Sequence, residues 1–67
     1  MMKLDNRDYI NKITELRMRR KQLRLTIDEV AKYIGISRSA ISQFEAYRAT
    51  LSDLTISKYE EFLNLKE

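Results

Sequence analysis

Only one glycine, Gly35, and no proline occur among the 67 residues of this chain. Architectures of many short strands need such residues at their turns, so a turn-rich β fold is disfavoured. Cysteine and histidine are also absent, which removes disulfides, zinc fingers and imidazole proton transfer. A chain this short is one domain, and a core of that size supplies only roughly 3–5 kcal/mol of stability. Hydrophobic residues at 43% beside charged residues at 34% fit a folded helical domain rather than a disordered one. The fold class read from these features is all-α.

No apolar run approaches the roughly 20 residues of a membrane span, and no apolar signal core opens the chain. The product is therefore expected in the cytoplasm, with no membrane partner. Residues 1–50 hold 11 basic and 6 acidic groups, whereas residues 51–67 hold 2 and 4. That asymmetry suits a polyanion-binding face with a more acidic back.

Apolar periodicity divides the chain further. Residues 1–7 show no period and read as a short arm. Asp8 is a plausible cap for a first helix whose apolar face is Tyr9, Ile13, Leu16 and Leu23. Arg20 interrupts that face. Thr26-Ile27-Asp28-Glu29 is a capping box, because Thr26 can accept from the N–H of residue 29 while Glu29 reaches back. The second helix carries Ile27, Val30, Ala31 and Ile34, and Gly35 stops it in the left-handed conformation. Ile36 plugs the turn. Ser37 caps a third helix running to about Tyr47, with Ala40, Ile41 and Phe44 inward and Arg38, Ser39, Ser42 and Gln43 outward. Residues 48–52 form a loop, and Ser52 caps a last helix with Ile56, Tyr59, Phe62 and Leu63 inward.

A capped helix, a glycine turn and a second capped helix with one apolar and one small-polar face form a helix-turn-helix over about residues 26–47. Arg20 and Glu45 both fall on inner faces. Opposite charges on facing apolar stripes should meet, since a buried unpaired charge costs several kcal/mol; the alternative is that both side chains snorkel to solvent. On the outer face, Arg38 has the donors for guanine O6 and N7, and Gln43 matches adenine N6 and N7. Ser39 and Ser42 are short enough to let bases approach. Read without the motif, the same four residues are simply a solvated helix face.

The stretch Leu25–Glu45 resembles the Cro/phage-repressor (XRE-type) helix-turn-helix family. The resemblance rests on Leu25-Thr26, Glu29-Val30-Ala31, Gly35-Ile36-Ser37 and Ile41 to Glu45, and it extends over about residues 10–63. It implies a single lambda-repressor-like domain over 1–67 with four helices, five at most. It implies that Arg20 pairs with Glu45 as a structural element and that Arg38, Ser39 and Gln43 read base edges in double-stranded DNA, while Ser42 on the same face is placed to touch a base or a methyl group. Phosphate contacts are implied for Thr26, Ser37, Lys32, Tyr47, Arg48 and Thr50, with Arg24 as a flanking contact. The basic run Arg17–Lys21 serves either DNA or solubility. The implied role is that of a repressor of phage or mobile-element type, a homodimer on an inverted-repeat operator, open to a regulatory protein partner. Leu51, Leu54, Phe62 and Leu65 are candidates for the dimer surface.

Three departures from the family pattern stand out. Ile27 replaces a glutamine that helps hold the DNA backbone. Ala46-Tyr47 replaces Asn-Gly after the helix 3 glutamate, implying a longer helix and a different phosphate clamp. Arg24 replaces a glycine at the end of helix 1. A rival reading is therefore a protein-binding module on the same scaffold, antirepressor or antitoxin-like, using Tyr59, Phe62 and Leu65 as an apolar strip. No enzyme is expected. The serines lack a base, no glycine-rich phosphate loop occurs, and Asp28/Glu29 and Glu60/Glu61 diverge around their helices. No metal or other cofactor is expected either.

Overall fold

Residues 6–67 are described by the computed structural model: α1 (Asn6–Gln22), α2 (Ile27–Ile34), α3 (Arg38–Glu45) and α4 (Asp53–Lys66). The expected arm lies mostly outside the described residues, while Asn6 and Arg7 open α1. Asp8 is accordingly in the first turn of α1 instead of before it, and Arg19, Arg20 and Lys21 occupy the last turn. Both placements complement the helix dipole.

Each later helix begins where a hydroxyl replaces a missing intrahelical partner. Thr26 Oγ1 accepts from Glu29 N at 3.1 Å, and the Glu29 carboxylate accepts from Thr26 N at 2.7 Å, completing the capping box. Ser37 Oγ accepts from Ala40 N at 3.0 Å, and Ser52 Oγ accepts from Thr55 N at 3.2 Å.

The helix ends repeat one device. Gly35 has φ 88°, and the N–H of Ile36 reaches back to Ala31 O at 3.2 Å. Arg24 has φ 59°, with Arg24 N on Lys21 O at 3.0 Å and Leu25 N on Arg20 O at 3.1 Å. Tyr47 has φ 64°, with Tyr47 N on Phe44 O at 3.1 Å and Arg48 N on Gln43 O at 2.9 Å. The last two are Schellman closures around a left-handed residue, a role for which glycine is the usual choice. They correct the expectation of a longer third helix. Its apolar phase extends to Tyr47, but the backbone turns left-handed there and α3 closes at Glu45.

The core draws on all four helices: Ile13 and Leu16; Val30, Ala31 and Ile34; Ile41 and Phe44; and Ile56, Tyr59, Phe62 and Leu63. Tyr9 meets Phe44 edge-on at 6.1 Å, and Tyr33 stacks on Phe62 at 4.7 Å, geometries that aromatic rings favour. Burial of Tyr59 and Phe62 corrects two expectations. Phe62 cannot serve a dimer surface, and the strip Tyr59–Phe62–Leu65 offered to a partner protein does not exist, since Leu65 alone of the three is exposed. Leu54 is exposed and Leu51 half-buried.

Candidate nucleic-acid interface

The interface begins with a buried charge that fixes α3. Arg20 and Glu45 are only 8% and 5% exposed. Arg20 Nε donates to Glu45 Oε2 at 2.8 Å and Nη2 to Oε1 at 2.7 Å, a bidentate pair. Its remaining donor, Nη1, reaches Leu25 O at 2.8 Å, and the Tyr59 hydroxyl donates to Glu45 Oε2. Hydrogen bonding to Glu45 raises the Arg20 pKa against the desolvation that lowers it. Burial, and then the bond to Glu45, push the Tyr59 phenol well above its ordinary range. No buried side-chain nitrogen or oxygen among the described residues lacks a partner. α1, the α1–α2 turn, α3 and α4 are therefore locked by one satisfied network, and the opposite face of α3 is held in a fixed register.

That opposite face is polar. Arg38, Ser39, Ser42 and Gln43 are all exposed. Gln43 Nε2 donates to Ser39 Oγ at 3.1 Å, so two of the expected base readers are already coupled. Arg38 Nε stands 3.5 Å from Asp28 Oδ1 on α2, with the two side chains 72% and 63% exposed. Such a pair is worth little in stability, but it biases where the guanidinium sits. Nothing in the sequence flags Asp28 for this position, because the contact depends on how α2 and α3 cross.

The expected phosphate-side residues flank this face in different states. Ser37 and Lys32 are exposed at the start of α3 and on α2. The Ser37 hydroxyl accepts within its cap and keeps a proton to donate. Thr26 Oγ1 instead also bonds Glu29 Oε1 at 3.2 Å, so it must exchange that carboxylate before binding any other anion. Bonds from the Thr26 backbone and hydroxyl hold the Glu29 carboxyl below the usual glutamate range. Tyr47 turns its hydroxyl to Thr14 Oγ1 at 2.6 Å, a partner the sequence did not suggest. Arg48 and Thr50 are exposed, and Leu51 N donates to the Tyr9 hydroxyl at 2.8 Å, fastening this loop to α1.

The basic run of α1 divides by geometry. Arg19 donates to Asn64 Oδ1 at 2.7 Å and to Glu67 Oε2 at 2.6 Å, tying α1 to the end of α4. Arg17 and Lys21 lie one turn apart beside a shallow concavity of about 320 Å³ shared with Ser42 and Ile27, and the Arg20–Glu45 pair forms its floor. No carboxylate among the described residues pairs with either cation. Two unpaired positive charges thus adjoin the polar face of α3.

The profile of the Helix-turn-helix family matches residues 16–67. No curated protein and no solved structure gives a match.

Proposed function

Because the chain belongs to the Cro/phage-repressor (XRE-type) helix-turn-helix family, a family of DNA-binding regulatory domains, we propose that it is a sequence-specific repressor. In this reading α3 enters the major groove. Arg38 donates through its Nη groups to guanine O6 and N7 while Asp28 draws Nε aside, and Gln43, held by Ser39, pairs with adenine N6 and N7. Ser39 and Ser42 give close approach. Ser37, Lys32, Arg48, Thr50, Tyr47 and Thr26 anchor the flanking phosphates, with Arg24 outermost. Arg17 and Lys21 join them across the concavity where Ile27 offers no polar group.

The observation that carries this reading is the α3 face itself, four exposed polar residues with no acidic group among them, set in register by a buried network. A module of this size contacts few bases, so useful affinity calls for a homodimer on an inverted repeat with half-sites about 34–36 Å apart. Repression follows by occlusion of a promoter, in the cytoplasm of a prokaryote, as befits phage or mobile-element regulators. No helix among the described residues is long and apolar enough to cross a membrane.

Selection of random duplexes by the purified protein tests the proposal. Enrichment of an inverted repeat, bound far more tightly than random DNA, is the expected outcome. Recovery of unrelated sequences with uniform, salt-sensitive affinity overturns it in favour of a protein-binding role.

A further inference from the structure

One face of α4 takes no part in the core. Leu54, Lys58, Glu61 and Leu65 follow one another at intervals of four, three and four residues, and all four are exposed. Leu54 and Leu65 are 68% and 65% exposed, the highest values among the exposed large hydrophobic residues. Intervals of this kind make a straight seam along a helix, the spacing by which two helices pack. Neighbouring charges of α4 are used within the protomer. Glu60 accepts from Lys12 Nζ at 2.6 Å, Glu67 holds Arg19, and Lys66 lies over the Phe62 ring at 5.5 Å. Neither Lys58 nor Glu61 has an ion-pair partner among the described residues, and Glu61 lies near enough to the Tyr33 hydroxyl to help raise its pKa.

The seam is symmetric about its centre, which falls between residues 59 and 60 for both the leucine pair and the charged pair. We infer that α4 pairs antiparallel with α4 of a second copy of this chain. A two-fold axis through that centre sets Leu54 against Leu65 of the partner subunit and Lys58 against Glu61 of the partner subunit. Every contact then occurs twice, as an isologous interface requires. Parallel pairing is disfavoured, because it opposes Lys58 to Lys58 of the partner subunit and Glu61 to Glu61 of the partner subunit. None of the residues assigned to base reading lies on this seam. The inference supplies the dimer that the proposed operator reading calls for and rests on that reading only for its purpose.

The absence of cysteine from the chain makes the geometry directly testable. Leu54→Cys and Leu65→Cys variants are prepared separately, checked for native helical signal, then mixed and oxidised. In the antiparallel seam residues 54 and 65 are opposed, whereas two copies of residue 54 are about 16 Å apart along the axis. Disulfide formation between unlike variants should outrun that within either variant alone. In the second arm, Lys58→Glu should weaken the dimer by roughly tenfold, and adding Glu61→Lys in the same chain should restore it. Self-cross-linking of either variant at the same rate as the mixture overturns the seam, as does a monomer–dimer equilibrium indifferent to Lys58→Glu. The DNA reading fails separately, on a duplex selection that enriches nothing from a chain that still cross-links as described.

Discussion

At the scale of single residues, the two roles of charge separate cleanly. Glu45 is buried against Arg20 and Tyr59, and removing it strands a guanidinium inside the core. Loss of one member of such a pair costs about 3–5 kcal/mol, as much as a core of this size supplies. Glu45→Ala should therefore leave the chain largely unfolded at 25 °C, as a denaturant titration followed by circular dichroism would report; retention of a cooperative native baseline contradicts the network. Arg48 is exposed and its side chain makes no hydrogen bond or ion pair among the described residues, so Arg48→Ala should leave stability alone, weaken binding to every DNA sequence and lower the salt slope by about 0.9. Tyr59 has a folded-state pKa raised above the ordinary value of 10 by burial. Its contribution to stability is thus complete below pH 10 and lost as pH rises beyond it. An alkaline titration read at the tyrosinate band should show Tyr59 ionising only together with unfolding; ionisation from the folded state contradicts its burial. Arg20 and Glu45 were legible in the sequence because charges on apolar stripes are anomalies. Asp28 beside Arg38, and Thr14 beside Tyr47, were not, since neither position breaks a pattern.

At the scale of the helices, the starts of α2, α3 and α4 were readable, whereas the start of α1 and the closes of α1 and α3 were not. Thr26, Ser37 and Ser52 announce themselves as caps by residue type. Only the end marked by Gly35 was equally plain. Arg24 and Tyr47 adopt the same left-handed conformation with side chains that disfavour it, at a cost of about 1–2 kcal/mol each. Residue type therefore gave no signal at the close of α1 and pointed beyond the true close of α3. Arg24→Gly should relieve that strain and, after the added freedom of the unfolded chain, raise stability by about 1 kcal/mol. For a domain of this size that is a rise of roughly 4–8 °C in Tm. A fall in Tm would show that the Arg24 side chain contributes more than its backbone costs. Tyr47 is the less suitable site for the same change, because glycine there also removes the hydrogen bond to Thr14.

For the whole molecule, the interior and the surface divide the labour. Among the described residues, eleven apolar side chains and one ion-paired network define how α3 is held, and the fold class followed from composition and period alone. The outer face of α3 could be identified as polar from its sequence, but which neighbours stand beside it depended on packing. Arg17 and Lys21 border Ser42 and are for that reason assigned to the proposed interface, while Arg19, two residues from each, turns to α4. The central claim is that α3 reads bases through Arg38. The measurement that meets it most directly is a titration of wild type and Arg38→Ala on the selected duplex and on the same duplex with the guanine opposite Arg38 exchanged. Wild type should lose about 1–3 kcal/mol on the exchanged duplex, and Arg38→Ala should bind both duplexes equally. Equal discrimination by the two proteins contradicts the placement of Arg38 in the major groove.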